Sequence, residues 1–362
     1  MHRPLKAQTL RDNCGAILAA AGSAPEEAAQ VAANLVFANL SGHDSHGVGM
    51  LPRYVDAVLE GGLKPNTSAR VQLDAGSLLS VDGQRGYGQV VGVQAMEMAI
   101  KRASELGSCI LALGQAHHLG RIGHFAEMAV AQGLVSIHFV NVLSRPVVAP
   151  WGGGDGRYGT NPCCIGVPMV GREPFVLDFA TSRVAQGKMR VAHNEGRSVP
   201  DGYLIDASGQ PTNDPGVVVV PQSGGPGAGL FGALMPFGEH KGYGMAVACE
   251  LLGGALTGSG TWHRPADNAK AVLNGMLVIV IDPKRLGTQA AFEKETLAFV
   301  DWLKQSPPAP GFDAVRIAGE PEREARIKRE RDGISIDPHT WAEIIAAGKK
   351  VGVDLLDVSS RA

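Results

Sequence analysis

Through its middle the chain alternates short strand-like runs with longer helical ones, and this alternation restricts the fold more than any other feature. Residues 109–113, 134–140, 175–177, 217–220 and 276–281 are apolar runs of strand length. Between them, 89–105, 122–132 and 241–256 repeat apolar residues at helical spacing. Such alternation predicts an α/β sheet rather than a sandwich or a bundle. The ends differ. Ser23 as cap, Pro25 in the first turn and Glu26 and Glu27 open a helix whose apolar stripe (Ala28, Val31, Ala32, Leu35, Val36) carries it to residue 40. The last quarter reads as helices over 289–304, 320–331 and 338–347, joined by Ser306-Pro307-Pro308-Ala309-Pro310.

A chain of 362 residues exceeds what one simple core usually serves. We therefore expect three parts: a helical segment over 1–75, an α/β region over 76–285 that binds ligands, and a helical tail over 286–362 packed beside the first segment. The 33 basic and 35 acidic residues nearly cancel and are scattered, so the electrostatic footprint of a nucleic-acid or membrane-surface binder is absent. A small-molecule partner is favoured. Five cysteines without a C-x-x-C argue against a disulfide framework or thiolate metal site and suit a reducing cytoplasm. The apolar run at 276–281 falls well short of the ~18 residues of a membrane span. Near the start, Arg3, Lys6 and residues 16–21 imitate a signal peptide, but Arg11, Asp12 and Asn13 interrupt it.

The fingerprint G-x-G-x-x-G occurs at Gly154/Gly156/Gly159 and at Gly227/Gly229/Gly232. With 48 glycines such matches arise by chance, and Pro162 and Pro236 stop either from leading into a long helix. A dinucleotide, if bound, sits on another fold.

Four glycine-flanked segments concentrate polar chemistry. His43-Asp44-Ser45-His46 packs an acid, a hydroxyl and two imidazoles into four residues, which fits either a polar turn or a catalytic loop. His117, His118 and His124 lack the pairing of a zinc helix and read as liners of a polar loop, while Gly120-Arg121-Ile122 opens a helix whose N-terminus could hold a phosphate. Gly159-Thr160-Asn161-Pro162 and residues 176–182 place small polar groups at a strand end, where Asp178 is either a turn cap or a site carboxylate. His240 and Lys241 stand between glycines at a helix start, as solvated basic groups or as an anion site.

Taken in order, GHDSHGVGMLPRYV (42–55), GTNP (159–162), PFVLDFATSRVAQGK (174–188), LIDASGQPTNDP (204–215), PFGEHKGYG (236–244), and GEPE with RDGISID (319–322, 331–337) resemble the type 2 malate/L-lactate dehydrogenase family over nearly the whole chain. Its members include hydroxycarboxylate, ureidoglycolate, diketogulonate and sulfolactate dehydrogenases and an imine-acid reductase, and the wording here is most similar to the hydroxycarboxylate enzymes. The resemblance implies a three-layer α/β fold with a mixed sheet, of the L-sulfolactate dehydrogenase-like type and not Rossmann. It also implies a homodimer with the site near the subunit boundary, and NAD or NADP as cofactor, NAD being favoured. His46 is then the general acid and Asp178 its partner, a pairing in which a buried carboxylate would favour imidazolium and fix its tautomer.

Ser45 and Thr160 could hydrogen-bond the substrate oxygen or the dyad. Cofactor contacts are implied for His46, Gly120, Arg121, Ile122, Asp178, Phe179, Ala180, Thr181, Ser182, His240, Lys241, Gly319, Glu320, Pro321 and Glu322. Many family members carry an arginine where this chain has Met50, so Arg53, Arg145, Arg183 or Lys241 must supply the charge for a substrate carboxylate, or the substrate is larger and less polar than malate. Methionine suits an apolar or aromatic substituent. The expected activity is hydride transfer between a 2-oxo and a 2-hydroxy acid, without a metal. The alternatives are reduction of cyclic imino acids, a malate, lactate or ureidoglycolate dehydrogenase, and a non-catalytic or metal-dependent histidine module.

Overall fold

The computed structural model describes residues 4–224, 228–263 and 271–355. Helices α1 (Ala7–Ala20) and α2 (Pro25–Leu40) come first. Pro25 occupies the first turn of α2, where a missing N–H costs nothing, and Glu26 and Glu27 lie at the positive end of the helix dipole. The cap position falls on Ala24 rather than Ser23. Two 3-10 turns, Asp44–His46 and Val48–Met50, lead into α3 (Leu51–Leu59).

The central part follows as β1 (Arg70–Ala75), β2 (Leu78–Asp82), α4 (Gly88–Leu106), β3 (Ser108–His117), α5 (Gly123–Ala131), β4 (Val135–Leu143), β5 (Cys163–Val167), β6 (Phe175–Phe179) and α6 (Gln186–Asn194). Next come the short strands β7 (Leu204–Ile205), β8 (Pro211–Thr212) and β9 (Ala233–Leu234), then α7 (His240–Cys249), which widens into a π-helical turn at Glu250–Ala255. The chain continues through β10 (Leu273–Ile281), α8 (Pro283–Leu286), α9 (Gln289–Lys304), α10 (Glu320–Asp332) and α11 (Pro338–Lys350).

Seven strands form one mixed sheet in the order β1-β2-β3-β10-β4-β5-β6, with only β2 and β3 parallel. Alternation along β10 assigns its two faces. Met276, Val278 and Val280 pack with Met96 and Ala99 of α4 and Phe125 and Ala129 of α5. Gly275 points the other way: a Cβ there would lie 2.6 Å from Thr257 Oγ1 and Ser259 Cβ, beyond the π-helical turn. Helices, sheet and this second cover are the three layers. Full burial of a side chain such as Phe125 contributes about 1.5–3 kcal/mol. A smaller sheet, β8-β7-β9, packs Leu204 and Leu234 with Tyr158, Met189 and Val218.

The helical ends do meet. Leu10, Ile17, Leu35, Tyr54 and Val55 share a core with Ile334, Trp341 and Ile344, and Leu5 and Ile334 exchange backbone hydrogen bonds at 2.9 Å. The expected boundaries need correction. Arg70–Ala75 belongs to the sheet as its edge strand β1, not to the helical segment: its side chains are exposed, its backbone pairs with β2, and Arg70 reaches Asp82 of β2 at 2.8 Å. In the tail, α9 packs Val300 against Met169 and Ile317 instead of against the N-terminal helices. The strand expected at 217–220 is replaced by a 3-10 turn at Pro215–Val218, since Asp214 caps Gly216 N at 2.8 Å and Pro215 presets a helical φ. Gly154, Gly156 and Gly159 lie in an irregular stretch that opens no helix, and Gly227 lies outside the described residues.

Candidate active site

The loop after α2 is held from beneath by Asn39. Its Oδ1 accepts Val48 N at 2.8 Å and its Nδ2 donates to Asp44 Oδ1 at 2.6 Å. Gly47 is required here, because a Cβ would collide with the Asn39 amide. From α10, Arg329 forks onto Asp44 at 2.6 and 2.9 Å, so Asp44 latches the loop rather than facing a ligand. Gly187 of α6 closes the other side: a Cβ there would stand 2.7 Å from Ser45 Cβ.

So fixed, Ser45 Oγ lies 3.0 Å from His46 Nδ1, and the His46 ring stacks on His118 at 5.5 Å with 12° between planes. His118 follows the end of β3. Its Nδ1 is 2.7 Å from Tyr54 Oη, and Tyr54 Oη accepts Gln89 Nε2 at 2.6 Å. Neighbouring His117 accepts Val272 N at 3.3 Å and meets the Tyr54 ring edge-on at 5.6 Å. Burial pushes His46 down to about 4, helped by the charges of His43 and Arg121. His118 is lowered too, by burial and then by His46 and His117.

Asp178 is engaged at the start of α5. Its Oδ2 accepts Gly123 N at 2.7 Å, capping α5, and among the described residues no hydrogen bond joins it to His46. Burial raises its carboxyl more than His43, Arg121 and the Gly123 N–H lower it. Of the two imidazoles of this loop, His43 is the one whose charge lowers this carboxyl, and its Nε2 lies 3.2 Å from Glu322 Oε1. At the start of α5, where the sequence suggests an anion site at Gly120-Arg121-Ile122, the Gly123 N–H is taken by this carboxylate. Arg121 is buried and forks onto Glu127 at 2.9 Å twice, a carboxylate it shares with Arg326.

Thr160 acts through its carbonyl, which accepts both the N–H and the hydroxyl of Thr181 at 3.0 Å. This fixes the segment after β6. There Phe179 meets Phe237 edge-on at 5.5 Å, Ala180 is half-buried, and Ser182 Oγ donates to Val184 O at 2.9 Å. Gly319 sits at φ 95° as the cap of α10. Glu320 accepts Ile317 N at 2.9 Å, Pro321 lies in the first turn, and Glu322 reaches His43.

Arg183, Phe237, Gly238, Glu239, His240 and Lys241 line a hollow of about 520 Å³ beside this segment, and neither His46 nor His118 lines it. Arg183 and Lys241 take no ion pair among the described residues, so the hollow suits an anionic ligand such as a dinucleotide. Arg145 is spent elsewhere: its guanidinium lies 3.7 Å over the Phe231 ring and donates to Val218 O at 2.5 Å. Met50 is half-buried against the helical core, and Arg53, half-buried, adds its charge to the burial that lowers His117 and makes no hydrogen bond to another described residue. Among the described residues no group of three or more His, Cys, Asp or Glu could hold a metal ion. No helix among them is long and apolar enough to cross a membrane.

Sequence reasoning missed Asn39, Tyr54, Gln89 and the part played by His118. Tyr54 stood inside the GHDSHGVGMLPRYV motif, the one signal at hand. Gln89 and Asn39 sit on helices, where a polar residue gives no sign of facing inward.

Residues 5–345 match the malate/L-lactate dehydrogenase family. Hydroxycarboxylate dehydrogenase B of Escherichia coli K12 is 42% identical over 96% of this chain and 94% of its own length. Sulfolactate dehydrogenase of Methanocaldococcus jannaschii superposes with a TM-score of 0.83 at 32% identity, covering 97% of this chain and 98% of that one. The Δ1-piperideine-2-carboxylate reductase of Pseudomonas syringae pv. tomato gives 0.81 at 30% identity, covering 95% and 99%.

Proposed function

The chain belongs to the malate/L-lactate dehydrogenase family, and from that premise we propose that it interconverts a 2-oxo acid and a 2-hydroxy acid with NAD or NADP, NAD favoured. The observation that carries this reading is the pair of stacked imidazoles, His46 and His118, held by Ser45 on one side and Tyr54 on the other. A bound reduced nicotinamide would supply the hydride, with Arg183, His240, Lys241 and the segment from Asp178 to Ser182 as its holders.

The rest falls to the chain itself. Ser45 engages His46 Nδ1, which leaves Nε2 to exchange a proton with the substrate oxygen. With its pKa pushed down to about 4, unliganded His46 is a neutral base ready to deprotonate a hydroxy acid. In reduction, a substrate carboxylate arriving beside it favours imidazolium and so charges the acid when it is needed. Arg53 is the cation for that carboxylate. Met50 faces the rest of the substrate and favours an apolar or aromatic side chain. The proposed enzyme is cytoplasmic, which its five unpaired cysteines suit, and homodimeric, a reading supported by exposed Val247, Leu251 and Leu256 on and after α7.

A second reading, reduction of cyclic imino acids, is favoured by the likeness to the piperideine-carboxylate reductase, since the same proton could go to nitrogen. A panel of 2-oxo acids and cyclic imines assayed with NADH and NADPH decides between them. If no member of the panel oxidises either cofactor, both readings fail.

A further inference from the structure

We propose that Gln89 is a positioning residue that fixes the tautomer of His118, so that the imidazole beside His46 presents an N–H to the substrate and never a lone pair. The reasoning counts hydrogens. Gln89 is fully buried in the first turn of α4, and its Nε2 donates to Tyr54 Oη at 2.6 Å. An amide nitrogen only donates, so Tyr54 must accept there. Tyr54 Oη also lies 2.7 Å from His118 Nδ1, and among the described residues the phenol has no other polar partner. Its single proton therefore goes to His118 Nδ1, because a buried hydroxyl is not left without an acceptor. That leaves the proton of neutral His118 on Nε2. His118 Nε2 has no partner among the described residues, and the ring lies parallel to His46.

Gln89 is itself held. Its main-chain carbonyl accepts Gln30 Nε2 at 2.8 Å, and Gly120, at φ 77°, passes so close that a Cβ would stand 3.2 Å from Gln89 Nε2, while the amide Oε1 takes no partner among the described residues. The titratable groups around His118 are His46 from the loop, His117 from β3 and Tyr54 from α3, with Arg53 beyond His117. Burial opposes a second proton on His118, and a proton on His46 or His117 would oppose it further, so it stays a neutral donor.

The inference rests on the two-histidine reading of the active site. Its test is the tautomer of His118 in unliganded protein labelled with ¹⁵N-histidine, the signal being assigned by its loss in His118→Gln. Wild type should show Nε2–H. Gln89→Glu replaces the donor by an acceptor, so Tyr54 turns its proton away and His118 shifts to Nδ1–H. Turnover should then fall by about 10²-fold, the usual cost of losing one aimed donor, with the cofactor KM unchanged. Gln89→Met, apolar and of similar length, serves if the glutamate variant does not fold, and should give a mixture of tautomers. Nδ1–H in the wild type, or variants that keep both the Nε2–H tautomer and normal turnover, would overturn the proposal. An enzyme that accepts nothing from the substrate panel sinks the functional reading, while the tautomer measurement stands apart from it.

Discussion

Asp178 Oδ2 accepts the Gly123 N–H at 2.7 Å, which ties the end of β6 to the first turn of α5. The cap comes with an electrostatic penalty, since burial raises this carboxyl above its ordinary value despite His43 and Arg121 nearby. A group whose folded pKa is raised contributes stability that is present below the unfolded pKa and lost as pH rises through the folded one. Asp178→Asn keeps an acceptor for Gly123 and removes the charge. Its melting temperature at neutral pH should equal or exceed that of the wild type, with the two converging below pH 3.8. Turnover should fall, because the negative charge that His43 and Arg121 face is removed. A variant clearly less stable than wild type at pH 7 contradicts the account.

His46 supplies the second prediction. Acting as a base in hydroxy-acid oxidation, it must be unprotonated, and burial has pushed it down to about 4. The kcat/KM for oxidation should therefore hold steady from neutral pH downward and collapse only as pH approaches about 4. His46→Ala should bind cofactor normally while kcat drops by about 10²–10⁴. Near-normal kcat in that variant, or a loss that tracks its thermal stability, would sink the mechanism.

Met50 sits half-buried between the helical core and the loop that carries His46. Branched or aromatic 2-oxo acids should show higher kcat/KM than oxaloacetate, by an amount limited to the ~1–3 kcal/mol of one apolar contact. Met50→Arg should move the preference toward dicarboxylates. A wild-type enzyme that strongly prefers oxaloacetate would mean that a second cation, such as Arg190, whose guanidinium lies 3.6 Å from where a Gly49 Cβ would stand, already fills the role.

Chelation is expected to have no effect. Among the described residues His117, His118 and His124 do not converge with an acid on a common point, and proton transfer at His46 needs no ion. Activity lost in EDTA and restored by a divalent ion would argue for a metal-dependent site.

Long periodic segments were legible in the sequence for a simple reason: α4, α5, α9 and the central strand β10 each carry enough apolar residues to declare their period. β1 has no buried side chain and so no pattern to read. At the site, the motif gave the loop containing His46 but not its geometry. The carboxylate nearest in family wording turned out to cap a helix, and the support for the second imidazole came from Gln89, 29 residues before His118 in sequence and on another element. Which buried polar group meets which is decided by three-dimensional satisfaction of donors and acceptors, and spacing along a chain does not encode it.

The buried histidines set the acid limit of the fold. His138, in the middle of β4 with Ser136 Oγ at 3.0 Å from its Nε2, and His117 beside Tyr54 are each lowered to about 3, chiefly by burial. Both are neutral in the folded protein, while the unfolded chain takes up a proton below the ordinary value of 6.5. Their contribution to stability is therefore complete above pH 6.5 and is lost as pH falls toward about 3, at about 1.4 kcal/mol per pH unit for each group. Urea titrations at a series of pH values should show stability declining already between pH 6 and 5, before most carboxylates begin to protonate. His138→Gln keeps a polar group beside Ser136 but removes one titrating site, so over pH 6.5 to 4.5 it should lose about 2 kcal/mol less than wild type, whatever its stability at neutral pH. An unchanged slope would place the His138 proton in the folded state and overturn the assignment of a neutral ring.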